Sequence, residues 1–290
     1  MRWEDGRESD QIEDRRGVGG GRFAIGGCGT LIVVRVISVL TGANPLRVLQ
    51  LLNGGETPQA DTSRAPSAPS GGQEPGTPDP QKKFVSVVLA STEDTWSSIF
   101  AQSGRQYEKP TLVLFTDSTP TACGYGQAAQ GPFYCPPDQK VYLDLGFFEE
   151  LTRLGAPGDF ARAYVVAHEV GHHVQNLLGT ERKVDDLRRR TSESQSNALS
   201  VRLELQADCY AGVWGNRGAR TGLIEPGDAE AGLRAAAAIG DDRLQRLGGG
   251  RVQPESFTHG SSAERVEWLR RGLESGDPGA CNTFQNASDR

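Results

Sequence analysis

The stretch from Val165 to His173 constrains the chain more than any other, because it contains His168-Glu169-Val170-Gly171-His172. Two histidines four residues apart stack one turn apart on one face of an α-helix, where two imidazole nitrogens can hold one Zn²⁺. Glu169 then stands beside them without being a ligand, placed to take a proton from water that the metal activates. Five residues are a short pattern, so the rest of the chain must supply a third ligand and the elements that carry it.

The local sequence predicts a helix from about Phe160 to Leu178, capped by Asp159 and ended by Gly179. Val166, Val170, Val174 and Leu177 form its apolar stripe, with His168 and His172 on a neighbouring face. His173 points about 100° away from its neighbour His172, so it reads as a packing residue. The chain has 4 histidines, and His259 is the only one outside this helix. A third ligand must therefore be His259, a carboxylate or a cysteine.

Downstream, a charged loop with Arg188-Arg189-Arg190 leads into a long helix expected over Ser192 to Trp214. Glu204 and Asp208 share one face of it, beside Val201, Leu205 and Ala207. Two carboxylates on an inner face need partners. Zn²⁺ for Glu204, and the N–H of a metal-binding imidazole for Asp208, supply them. The reading is one catalytic Zn²⁺ on His168, His172 and Glu204, with Glu169 as general base and Asp208 behind the first histidine. His259, in the loop Ser256 to Gly260, stands just before a helix opened by the Ser261/Glu264 capping box. It could hydrogen-bond the oxyanion of a tetrahedral intermediate or be a structural loop histidine. Tyr142, Tyr164 and Tyr210 are other candidate donors.

The metal pattern sits in the only part of the chain with the makings of a core. Residues 1–22 carry many charges of both signs and read as a disordered cytoplasmic tail. Residues 23–52 read as a membrane anchor segment. Within it Phe23 to Leu40 is long enough to span a bilayer, and apolar side chains at roughly −0.3 to −0.6 kcal/mol each offset about +2.5 to +3.5 for Arg35. Arg15, Arg16 and Arg22 before the span, against Arg47 after it, place the N-terminus inside and the bulk of the chain outside the inner membrane as a single-pass protein. Residues 53–81, rich in Pro, Gly and Ser, read as a flexible linker, leaving 82–290 as the catalytic domain. In that domain Phe84 to Leu89 opens the fold, Ser91 to Asp94 reads as a helix start and Thr111 to Phe115 as a strand. Lys140 to Leu145 alternates as a half-exposed strand in place to pair with substrate at a sheet edge. Asp228 to Leu247 reads as helical.

The domain holds Cys123, Cys135, Cys209 and Cys281, an even set that suits two disulfides in an exported protein. Pairing Cys123 with Cys135 closes a Gly- and Pro-rich loop, and pairing Cys209 with Cys281 ties the C-terminus to a core helix. The other two pairings, and four buried free thiols, stay open at this point. A net charge of −6 provides no basic footprint, which argues against nucleic acid as a partner.

Together these residues resemble the gluzincins, in which a glutamate downstream of H-E-x-x-H is the third ligand and an aspartate four residues later supports the first histidine. The metzincin pattern fails, because Gln175 and Leu178 stand where it requires glycine and histidine. The wider arrangement resembles the bacterial neutral zinc metallopeptidase family: the charged start and apolar segment, Val141 to Asp144, His168 to Gln175, Glu204 to Trp214 and Ser256 to Gly260. That resemblance implies an α+β, zincin-like domain, mostly helical with a small sheet, after a transmembrane helix and linker. It also implies a peptide or protein substrate, with membrane lipid met through the N-terminal helix. The alternative is a membrane-anchored binding or scaffold protein that keeps zinc without turnover. Glu169, which a purely structural zinc would not need, speaks against it.

Overall fold

A computed structural model describes residues 1–17 and 78–284. The apolar segment at 23–52 and the linker up to residue 77 lie outside the described residues. Among the described residues no helix is long and apolar enough to cross a membrane. Met1–Arg15 and the chain from Pro78 onward form one compact unit, mixed α and β and mostly helical, with small sheets.

Helix α1 spans Pro80–Gln102. Asp79 caps it by accepting from the Lys82 amide at 3.0 Å, with Pro80 at the first helical position, where its missing N–H costs nothing. The fold therefore starts a few residues before the expected boundary at 82. Ser91 and Thr92 do not start a helix. Inside α1 their hydroxyls donate to the carbonyls of Val88 and Leu89 at 2.6 and 2.7 Å, the back-bonding that lets short hydroxyl side chains sit within a helix.

The main sheet has the order β1-β2-β6-β5, from β1 (Ile12–Asp14), β2 (Thr111–Phe115), β5 (Phe133–Cys135) and β6 (Lys140–Asp144). A hairpin of β3 (Ser118–Thr121) and β4 (Gly124–Gln127) projects beside it. β2 runs parallel to both β1 and β6, and β5 is antiparallel to β6. The expected edge position of Lys140 to Leu145 is corrected here: β6 is interior and β5 is the edge. Val141, Tyr142 and Leu143 are all buried, because both faces of the strand are covered, so its alternation of residue types does not mark a solvated face.

The expectation of a disordered tail over 1–22 is also corrected for the described part. Ile12–Asp14 pairs with Leu112–Leu114. The Trp3 indole N–H donates to Asp159 at 3.0 Å, and its ring stands edge-on to Phe84 with centroids 5.3 Å apart. Arg7 binds Glu93 and Asp94, and the Ser9 hydroxyl donates to Glu93. Glu93 is only 1% exposed and also pairs with Lys109 at 3.0 Å. The tail's charges are thus spent on a buried carboxylate, while Trp3 and Ile12 supply apolar anchorage that charge counting overlooks.

Among the described residues seven further α-helices follow: α2 (Phe147–Arg153), α3 (Asp159–Leu178), α4 (Thr180–Arg188), α5 (Glu193–Arg220), α6 (Asp228–Ala238), α7 (Asp241–Leu247) and α8 (Ser262–Ser275). α4 occupies the expected charged loop, and the expected helix over Asp228 to Leu247 is broken into α6 and α7 at Ile239 and Gly240. Helices α5 and α8 cross at Gly212 and Gly272, where an added Cβ would collide with backbone of the opposite helix. The glycines let the two axes approach closely enough to bury the side chains around the crossing. Disulfides join Cys123 to Cys135 and Cys209 to Cys281, with Cα atoms 5.9 and 5.5 Å apart, the preferred pairings among the alternatives.

The packed N-terminus is testable in the full chain. Trp3→Ala removes a partly buried ring and its hydrogen bond and is expected to lower unfolding free energy by about 2 kcal/mol or more in denaturant titration. Unchanged stability would show that Met1–Arg15 is not docked.

Candidate metal centre

Helix α3 carries the H-E-x-x-H stretch through the core. Val166, Val170 and Val174 are buried, and Gly179 ends the helix in the left-handed conformation at φ 74°, as the sequence predicts. Asp159 is not its cap; its carboxylate is engaged by Trp3. Gly171 faces α5, and a Cβ there would lie 3.0 Å from the Ala207 carbonyl oxygen. The close approach sets α5 beside α3 with Glu204 opposite the two histidines.

Side-chain atoms of His168, His172 and Glu204 lie within 4.8 Å of one another. His168 Nε2 is 3.2 Å from His172 Nε2 and 3.2 Å from Glu204 Oε2, and His172 Nε2 is 3.4 Å from Glu204 Oε1. The outer nitrogens are engaged elsewhere. His168 Nδ1 is 2.8 Å from Asp208 Oδ1. His172 Nδ1 is 2.9 Å from Gln175 Oε1, an oxygen whose direction is set because Gln175 Nε2 donates to the Leu203 carbonyl at 2.7 Å. Both Nδ1 atoms therefore carry a proton, and in the neutral rings both Nε2 lone pairs point at the same space.

This donor set fits a divalent cation. Two imidazoles and one carboxylate suit zinc and leave a fourth coordination position open. The electrostatics agree. Burial lowers the His168 pKa, but Asp208 and Glu204 more than reverse it, raising it to about 10. The surroundings thus demand positive charge at this point, which a metal ion supplies without protonating the rings. Burial resists ionisation of Glu204, yet His172 and His168 hold its carboxyl well below its ordinary range. Glu169, on the same helix, is 8% exposed, and burial raises its pKa against the lowering influence of the two histidines.

Behind His168 stands a network in which Asp208 alone was expected in this supporting role. Asp208 is fully buried and accepts from Tyr164 at 2.5 Å and from Arg265 Nε and Nη2, both at 2.9 Å. Arg265 of α8 is 2% exposed and also donates to the Tyr164 oxygen at 3.1 Å. Arg265 escaped sequence reading because nothing local marks a buried arginine, and Tyr164, a candidate oxyanion donor by sequence, is committed to Asp208 instead. Gln175 could have been found, since it lies three residues from His172 on the same helical face. Among the other proposed donors, Tyr142 is committed to Asp138 at 2.7 Å, and Tyr210 packs edge-on to Trp96 in the core.

His173 is a packing residue, as the sequence suggests. It is fully buried. Its Nε2 donates to the Glu108 carbonyl at 2.6 Å, so Nδ1 accepts from the Tyr134 hydroxyl at 3.0 Å. With both nitrogens occupied, and burial pushing its pKa down to about 4, it has no lone pair for a metal.

A cavity of about 520 Å³ opens over the centre, lined by His168, Glu169, His172, Glu204 and His259 together with Phe133 and Tyr134 of the edge strand. His259 is brought to this space by Asp241, the first residue of α7. Its Oδ2 accepts the backbone N–H groups of Thr258, His259 and Gly260 at 2.8, 2.7 and 3.1 Å, and its Oδ1 lies 3.2 Å from His259 Nδ1. That last bond raises the His259 pKa against partial burial.

Over residues 1–284 the chain matches the family described as "Putative neutral zinc metallopeptidase", and it belongs to that family. It is 48% identical to the uncharacterized protein YpfJ of Escherichia coli (strain K12), over 98% of this chain and 99% of that protein. It is 43% identical to the uncharacterized protein Rv2575 of Mycobacterium tuberculosis (strain ATCC 25618 / H37Rv), over 71% of this chain and 72% of that protein. No solved structure matches the chain significantly.

The Asp208 network has measurable consequences. Arg265→Met leaves a buried carboxylate without its counter-charge and is expected to cost about 3–5 kcal/mol of stability. Asp208→Asn frees the His168 ring and is expected to weaken Zn²⁺ binding about 10- to 100-fold in chelator competition. Zn²⁺ binding to the Asn variant as tight as the parent's would contradict the arrangement.

Proposed function

We propose that this member of the zinc metallopeptidase family hydrolyses peptide bonds, with His168, His172 and Glu204 holding one Zn²⁺ and Glu169 acting as general base. The observation that carries the reading is the convergence of three ligand side chains within 4.8 Å in a cavity that Glu169 also lines. Zinc bound there would supply Lewis acidity, lowering the pKa of a water and polarising the scissile carbonyl. Glu169 takes the proton as the water attacks and returns it to the leaving amine. Its raised pKa, caused by burial, makes it the stronger base for taking that proton. Asp208 and Gln175 keep the two imidazoles in the tautomer and orientation that ligation requires.

His259 lies where it could donate to the oxyanion, and the raised pKa that Asp241 gives it favours the protonated, donating form. The edge strand β5 contributes Phe133 and Tyr134 to the cavity wall, so its free side is where an extended peptide would add as a further strand. A sheet edge above an H-E-x-x-H helix, with the third ligand on the next long helix, supports a zincin-like assignment for the domain.

Attachment to the inner membrane through residues 23–52 belongs to the same proposal, with the domain on the extracytoplasmic side, where its two disulfides suit the redox conditions. In this proposal both ends of that segment lie on the domain's side, a reading that the pairing of β1 with β2 supports.

Two experiments test these statements. Glu169→Gln is expected to retain one equivalent of Zn²⁺ while losing at least about 10²-fold in kcat on peptide substrates. Hydrolysis at the parental rate would remove Glu169 from the mechanism. For orientation, Asp10→Cys in a Cys28→Ser background is expected to react with a membrane-impermeant maleimide in intact spheroplasts. Labelling only after lysis would restore a single crossing with the N-terminus inside.

A further inference from the structure

Glu181 is the acidic group in the cavity wall that the proposed chemistry does not use and that is sheltered from solvent with an oxygen left unpaired; Glu150, in the same wall, is exposed. It sits in the first turn of α4 and lines the same cavity as His168, Glu169, His172 and Glu204. Its Oε2 is buried with no hydrogen-bond partner. The two arginines in that wall are spoken for: Arg265 by Asp208, Arg188 by Asp185 at 3.3 Å and Ser200 at 2.7 Å. A carboxylate left in a half-dry cleft without a partner is costly, and a position at a helix N-terminus does not remove the cost here, because no backbone N–H reaches that oxygen. Burial pushes its pKa up to about 7, with Asp185 adding to the rise and His172 and Arg188 opposing it.

We propose that Glu181 is a specificity-determining residue that receives a cationic group of the substrate, a lysine or arginine side chain or a free α-amino group, beside the scissile bond. The assignment rests on the peptidase reading for its substrate class, and on the uncompensated carboxylate for its charge. An ammonium or guanidinium group donates charge-assisted hydrogen bonds to the free oxygen and restores the ionised form. Phe133, Tyr134 and Leu203 in the same wall offer apolar surface to the stem of such a side chain.

Binding rather than turnover tests this, so that the two readings can fail separately. The probe is a set of fluorescent hexapeptides on the zinc-loaded, full-length Glu169→Gln protein: a central lysine against methionine, and a free amino terminus against an acetylated one. Loss of the cation is expected to weaken binding about tenfold or more, the scale of one hydrogen bond to a charged group. Whichever arm shows the loss identifies the source. Adding Glu181→Gln is expected to erase the discrimination with no change in thermal midpoint, and Glu181→Lys to reverse it towards a central glutamate. Equal binding of cationic and neutral peptides, absence of binding by either, or discrimination that survives Glu181→Gln would overturn the proposal. Discrimination by the Glu169→Gln protein alongside a parent protein that cleaves nothing would sink the peptidase reading while leaving Glu181 as the site that receives a peptide's cationic group.

Discussion

A single buried carboxylate, Asp208, ties together the elements that make the site. It binds His168 and Tyr164 of α3 and Arg265 of α8 from its own position on α5. At a position that is fully buried, each partner is needed. The arginine neutralises the charge, the tyrosine fills a lone pair, and the imidazole N–H is fixed so that its other nitrogen faces Glu204. Fully satisfied, such a network specifies one arrangement of three helices; missing one member, it would strain against its own desolvation.

The rest of the fold serves that arrangement by controlling approach. Gly171 lets α5 come near enough to α3 for Glu204 to complete the ligand set, and Gly212 with Gly272 does the same for α5 and α8, bringing Arg265 to Asp208. The Cys209–Cys281 disulfide begins one residue beyond Asp208 and fastens the C-terminal segment to the same helix. On the other side of the cavity, the Cys123–Cys135 bridge holds the end of edge strand β5. His259 reaches the cavity because one aspartate, Asp241, gathers three successive backbone amides of its loop. Rigid helices thus carry the candidate ligands, while a stapled strand and a pinned loop frame the opening.

The candidate metal ligands were legible in the sequence because helical periodicity alone puts His168 with His172, and Glu204 with Asp208. A short histidine census then leaves few other candidates. The disulfide pairing was legible as a preference. What the sequence hid depends on contacts between distant segments. The N-terminal residues read as a solvated tail because their charges have no local partner, yet Glu93, far along the chain, is buried and needs them. β6 looked like an edge because its alternation does not reveal that β5 folds back over it. Arg265 carries no local sign of burial, and Asp159 looked like a cap because Trp3, which binds it, lies over 150 residues away in sequence, a separation of 156. The apolar segment at 23–52 remains a sequence-based proposal.

The central claim is that His168, His172 and Glu204 of this chain hold one zinc ion and His173 does not. Metal analysis with zinc K-edge X-ray absorption on the full-length protein tests it most directly. The expected result is one zinc per chain, with two imidazole nitrogens at about 2.0–2.1 Å and oxygen ligands completing the shell, and loss of the ion on replacing Glu204 by Gln. A chain that takes up no zinc, or whose shell contains a third imidazole or a thiolate sulfur, would contradict it.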